Sequence, residues 1–156
     1  MALSPTTIEV VTAAVAQALL DTLPTHVPSR AMFPWRYTAN DKVDGGTPRV
    51  FTIDWEVESI TEGTVHGANG VGMVITMVVA VPYSGLLKTE REAMIIHDSV
   101  DVLRAVHPLP SGGVGSLDGL VQILNPRTQV LEDDPANFVV GYTFDMEILF
   151  SDQDAT

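Results

Sequence analysis

The side chains able to do chemistry are few and widely spaced. There are four histidines, His26, His66, His97 and His107, and no cysteine. Thiolate zinc sites, disulfides and cysteine nucleophiles are therefore excluded. His97 and Asp101 are four residues apart, one turn on a helix, and so could share a proton or one metal ion. No HExxH or comparable ligand spacing supports them, and no G-x-S-x-G elbow marks a nucleophilic serine. Residues 111–119 are rich in glycine, but no lysine follows as a phosphate-binding loop requires, and no strand-to-helix context surrounds them. The reading is of a chain with no catalytic residue, no metal site and no cofactor.

The least random chemical feature is the placement of carboxylates. Asp54, Glu56 and Glu58 alternate with Phe51, Ile53, Trp55 and Val57, so the acids share one face of a strand and the apolar residues the other. Asp145 and Glu147 alternate in the same way with Tyr142, Phe144, Met146, Ile148 and Phe150. If both strands lie in one sheet, five carboxylates form a patch expected to lack pairing partners. Such a patch is either an ordinary solvated face or a surface that repels a polyanion or meets a basic partner. An open sheet face offers no pocket to tune an acid and a base, which argues against catalysis.

A second feature is aromatic. Phe33-Pro34-Trp35-Arg36-Tyr37 lies within a connection of about 25 residues between the first helix and the first long strand, several times the usual length. Phe33, Trp35, Arg36 and Tyr37 are candidates for protein docking, because such residues are enriched at interface hot spots. The competing reading is that the rings cover the protein's own core.

The elements that must position these residues follow from periodicity. Ile8, Val11, Val15, Ala18 and Leu19 make one helical stripe, capped at Ser4-Pro5 or Thr6-x-x-Glu9 and stopped by Pro24. A strand with a bulge near Ser59-Ile60 leads to turn chemistry at Gly67-Ala68-Asn69-Gly70. Residues 73–81 are apolar on both faces and read as a central strand, with helices on one side and another sheet or subunit on the other. A second helix is predicted from a Thr89-x-x-Glu92 capping box, with Ala93, Ile96, Val100, Leu103 and Val106 as its buried stripe. Residues 120–124 and 128–131 read as two short strands separated by Asn125-Pro126, and residues 138–150 as one long strand. The fold class expected is α+β, a mostly antiparallel twisted sheet with two amphipathic helices on one face, in a single domain over residues 1–156.

Composition bounds the partners. Hydrophobic residues make up 46% of the 156 and charged residues 18%, a globular balance. Net charge is −12 with only eight Lys and Arg, which argues against tight binding to DNA or to an anionic membrane. The first residues lack a basic segment followed by a long apolar one, so no secretory signal is expected. The longest apolar run, residues 71–81, is too short to span a bilayer, so a soluble protein is expected.

The order of elements resembles the tail terminator proteins of long-tailed bacteriophages. The resemblance is carried by the helix at 8–19, the hairpin at 49–81, the helix at 89–106, and Val121-Gln122-Ile123-Leu124 leading to Asn137-Phe138-Val139-Val140-Gly141-Tyr142-Thr143-Phe144-Asp145-Met146-Glu147-Ile148. It implies a homo-oligomeric ring, a hexamer, that caps the tail-tube protein and meets the head-side connector or neck protein. DNA passes through the lumen without specific binding. The protein would be located in the virion tail or neck after assembly in the host cytoplasm. The acidic row would then face the lumen. Other neck or head-completion proteins share the pattern. A small non-viral binding or scaffold domain, or an enzyme with a pocket near the histidines, would account for the same elements without a ring.

Overall fold

The computed structural model describes residues 8–24, 33–38, 47–65, 68–110, 120–134 and 136–151. The elements in chain order are α1 (Ile8–Leu20), β1 (Arg36–Tyr37), β2 (Val50–Val65), β3 (Ala68–Pro82), α2 (Lys88–Val106), β4 (Leu120–Asp134) and β5 (Asn137–Ser151). The strands form one sheet in the order β1-β2-β3-β5-β4. All pairings are antiparallel except the two-residue contact of β1 with β2. The α+β architecture is the one periodicity calls for.

The central strand is β3, flanked by β2 and β5. Its Ile75, Met77, Val79 and Val81 point to the helix side and are buried with Tyr142, Phe144, Met146 and Ile148 of β5. From α1, Val11, Val15, Ala16 and Leu19 close over this layer. The helices pack on each other, α1 also against β1 and α2 also against β5.

Three local expectations are corrected. The strands resume pairing at Val65 and Ala68, so Asn69 and Gly70 lie inside β3 rather than in the turn. α2 begins at Lys88 with Leu87 as its N-cap and no side-chain cap bond, so Thr89 is helical and the Thr89–Glu92 box is not formed. The two short strands around Asn125-Pro126 are one strand, β4. It runs through because it is a sheet edge, where Pro126 needs no ladder partner on its outer side. Asn125 takes a left-handed φ of 55°, and the register shifts between Leu124 and Arg127. The bulge foreseen near Ser59 is present between Val57 and Ser59. The proposed cap of α1 lies outside the described residues.

The largest departure concerns α2. Its buried face carries Met94, Asp98, Asp101, Val102 and Val106, while Ile96, Val100 and Leu103 are 65%, 44% and 39% exposed. The helix is turned so that Asp98 meets Arg49, and both are fully buried. Arg49 Nε donates to Asp98 Oδ2 at 2.8 Å, and Nη2 to Oδ1 at 2.5 Å. Nη1 donates to the Phe33 carbonyl at 3.0 Å, and the guanidinium lies 5.3 Å from the centroid of the Trp35 ring. Tyr83 donates to Asp98 Oδ2 at 2.7 Å, and its hydroxyl is also bonded to that of Tyr142. A charged face wins over an apolar one because a bidentate, doubly satisfied pair is stable when buried, whereas either partner alone is not.

Burial pushes the Asp98 carboxyl upward, against the opposing pull of Arg49 and Tyr83. Burial likewise raises the phenols of Tyr83 and Tyr142 well above their usual 10, with the neighbouring Asp98 charge adding to it.

Two outcomes follow. Asp98→Ala removes the carboxylate that balances the buried Arg49 guanidinium and should cost about 3–5 kcal/mol, read as a lower urea midpoint at unchanged slope. The phenols give a second test. Below about pH 10 they are neutral in both folded and unfolded chains, so stability is intact. Above it the unfolded chain releases protons that the folded one retains. Each phenol then removes about 1.4 kcal/mol per pH unit until its own folded pKa is reached. Tyr142→Phe should therefore flatten the alkaline decline of the urea midpoint, and equal slopes in parent and variant would refute the assignment.

Candidate functional site

The carboxylates gather where alternation puts them. β2 and β5 flank β3, and the register sets Glu56 and Asp145 opposite Thr76 from either side, with Glu147 opposite Val74 and Asp54 opposite Val78. All lie on the face away from the helices. Asp54, Glu56 and Glu58 are exposed, and Asp145 and Glu147 are half-buried.

The patch is not a bare row of charges, which corrects the expectation of unpaired acids. Thr76 Oγ1 lies 2.9 Å from Glu58 Oε1 and 3.0 Å from Asp145 Oδ1. A hydroxyl has one proton, so it donates to one carboxylate at a time. Arg127 of β4 reaches Asp145 at 3.3 Å, and Gln122 donates to Glu147 at 2.6 Å. The Arg127 side chain is 40% exposed, so this ion pair is worth little in water. Neutral donors and one arginine hold the acids in place without cancelling the sign of the face.

The helix side of the same sheet has an uncovered part. Trp55, Val57 and Ile60 follow the buried Phe51 along the inner side of β2, yet are 43%, 40% and 59% exposed. The closest helix–sheet approaches are of α1 to β1 and of α2 to β5. β1 pairs only with Val50 and Phe51, so the outer edge of β2 beyond them has no neighbouring strand among the described residues.

At the opposite edge, α2 and the bulged middle of β4 enclose a groove of about 340 Å³, lined by Val100, Leu103, Arg104, Pro126, Thr128 and Phe144 among others. Two of the three apolar residues on the exposed stripe of α2 thus border a concave surface.

The aromatic segment divides. Trp35 is 4% exposed and packs edge-on against Phe51 with centroids 6.0 Å apart, and Phe33 packs partly buried against the same core. Trp35 is therefore a core residue, and its assignment to protein docking is corrected. The side chain is turned inward by β1 joining β2, with Arg36 N–H bonding the Arg49 carbonyl and Thr38 N–H that of Phe51. Arg36 and Tyr37 are exposed, and the Tyr37 ring rests 5.4 Å from that of Phe51.

His97 is exposed while Asp101 is buried, so one turn of helix separates them into different environments. Among the described residues no three His, Asp or Glu side chains are grouped to hold a metal ion. His26, His66 and the glycine-rich segment 111–119 lie outside the described residues. Sequence reasoning missed Arg49, Asp98, Tyr83 and the groove. The only available signal was two acids, Asp98 and Asp101, three residues apart on a helix that has a second apolar stripe to offer.

No protein-family model and no curated protein matches the chain.

With Trp35 in the core, Trp35→Ala should cost the isolated subunit about 3–5 kcal/mol, visible as a large fall in melting temperature. A melting temperature within a degree or two of the parent's would return Trp35 to the surface.

Proposed function

We propose that this chain is a ring-forming structural protein of the tail-terminator kind, closing a phage tail tube and joining it to the head-side connector. One observation carries the reading. A single strand, β2, presents uncovered apolar side chains (Trp55, Val57 and Ile60) on one side and carboxylates (Asp54, Glu56 and Glu58) on the other. Exposed apolar surface rimmed by charge favours contact with protein. A carboxylate face of a chain with net charge −12 repels polyanions.

A ring uses both properties at once. Subunits meet through the apolar parts, and the acidic face, extended across β3 and β5 by Asp145 and Glu147, lines a channel through which DNA slides without sticking. The partners in this reading are further copies of the chain, six in a closed ring, together with the tail-tube and neck proteins, and the place of action is the virion. The α+β fold agrees with the resemblance that prompts this function.

Light scattering and negative-stain imaging, without and with tail tubes, test the ring. Closed rings of about six subunits are expected. A protein that stays monomeric and also fails to join tail tubes overturns the reading. In the same assay, replacing Asp54, Glu56 and Glu58 together with lysine should create DNA binding that weakens steeply with salt, because phosphate-bound counterions would now be released. A substituted ring that binds DNA no better than the parent at low salt removes the lumen assignment.

A further inference from the structure

The two long edges of the sheet are unlike and complementary. At one edge, β2 shows Trp55 and Val57 on the helix side and Asp54, Glu56 and Glu58 on the outer side. At the other edge, the helix side offers Val100 and Leu103 of α2 at a concave groove, beside the exposed Arg104. The outer side of that edge carries Arg127. Resting on the ring-forming reading, we infer that the β2 edge of one subunit docks against the α2–β4 groove of the next copy. Trp55 and Val57 enter the groove beside Arg104, and the acids meet Arg127 on the outer side.

The pairing keeps the faces of the sheet aligned. When a second copy is set beside the first with its helix side on the same side, apolar residues meet apolar residues on that side. On the outer side carboxylates meet Arg127, whose own ion pair with Asp145 is half-exposed and so can be shared, while its Nη1 also donates to the Asn125 carbonyl at 2.9 Å. Two of the chain's eight basic residues lie at this one edge. Such a contact joins different patches on the two partners, so it propagates head to tail and closes into a ring when the rotation allows.

The contact is made by side chains rather than by extending the sheet. β4 breaks register at three places, with Asn125 in a left-handed conformation and Pro126 lacking an N–H, so it cannot offer a continuous ladder to an incoming strand. A large aromatic anchor in a groove, ringed by charges, is the usual form of an interface hot spot.

The test uses two variants, each disabling one side. Trp55→Glu with Val57→Glu spoils the strand, and Val100→Glu with Leu103→Glu spoils the groove. All four positions are 39–44% exposed in the subunit. Each variant alone should need at least about tenfold more protein to assemble. Mixed together, they retain one intact strand and one intact groove, so they should form a dimer that stops at two. A second readout does not depend on these substitutions being tolerated. The chain has no cysteine, so Val57→Cys protein mixed with Leu103→Cys protein can be treated with a short bis-maleimide. A crosslink should appear in the mixture and not with either protein alone. If the parent assembles but both variants assemble equally well, or the mixture gives no crosslink, this interface is wrong and the ring reading survives. If the parent is monomeric at every concentration, with tail tubes present, both fall.

Discussion

The rest of the fold is arranged around the buried contact of Arg49 with Asp98. The Arg49 N–H bonds the Pro82 carbonyl at the end of β3, and its carbonyl accepts from Arg36 of β1. The guanidinium grips Asp98 of α2 and the carbonyl of Phe33, and covers the Trp35 ring. One residue therefore ties both ends of the hairpin, the short parallel strand and the second helix. Its backbone is in the left-handed region, φ 65°, which costs a side-chain-bearing residue about 1–2 kcal/mol. The strain persists because an uncompensated charge in this position would cost more.

That contact also decides which surface of α2 is left over. Two stripes on the helix compete for the core, an apolar one through Ile96, Val100 and Leu103 and a mixed one through Met94, Asp98, Val102 and Val106. Because Asp98 must reach Arg49, the apolar stripe is turned outward. The exposed hydrophobic surface of α2 is thus a consequence of an ion pair rather than a flaw of packing. At the other edge β1 pairs with β2 only at Val50 and Phe51, and Trp55, Val57 and Ile60 beyond them are left exposed.

Much of this was legible in the sequence. Period-two alternation placed Phe51 and Ile53 inward and the acids outward, and the two-faced apolar run of β3 announced its central place. Helical spacing of Val11, Val15 and Leu19 announced the buried side of α1. What could not be read were the pairings at long range. Arg49 and Asp98 are 49 residues apart, and no local pattern distinguishes a buried aspartate from a solvated one. For Trp35 a long connection gives no periodicity, so docking and core both stay open in the sequence, and its burial follows from a two-residue strand too short to leave a signal. The acidic patch was foreseen as a group, but its Thr76 and Arg127 partners depend on register, which a single strand's pattern does not contain.

The strand order has a consequence for a chain made from one end to the other. β5 is last in sequence yet lies between β3 and β4, where it completes the ladder of both. During synthesis β2 and β3 can pair as a hairpin as soon as they emerge, but β3 keeps one side open and β4 has no strand to lie against until residues 137–151 follow. Through the interval in which α2 and β4 are translated, β3 lacks the partner that lies on its β5 side. β5 pairs with β4 across a two-residue turn and with β3 on its other side, so the sheet is complete only once this strand is made.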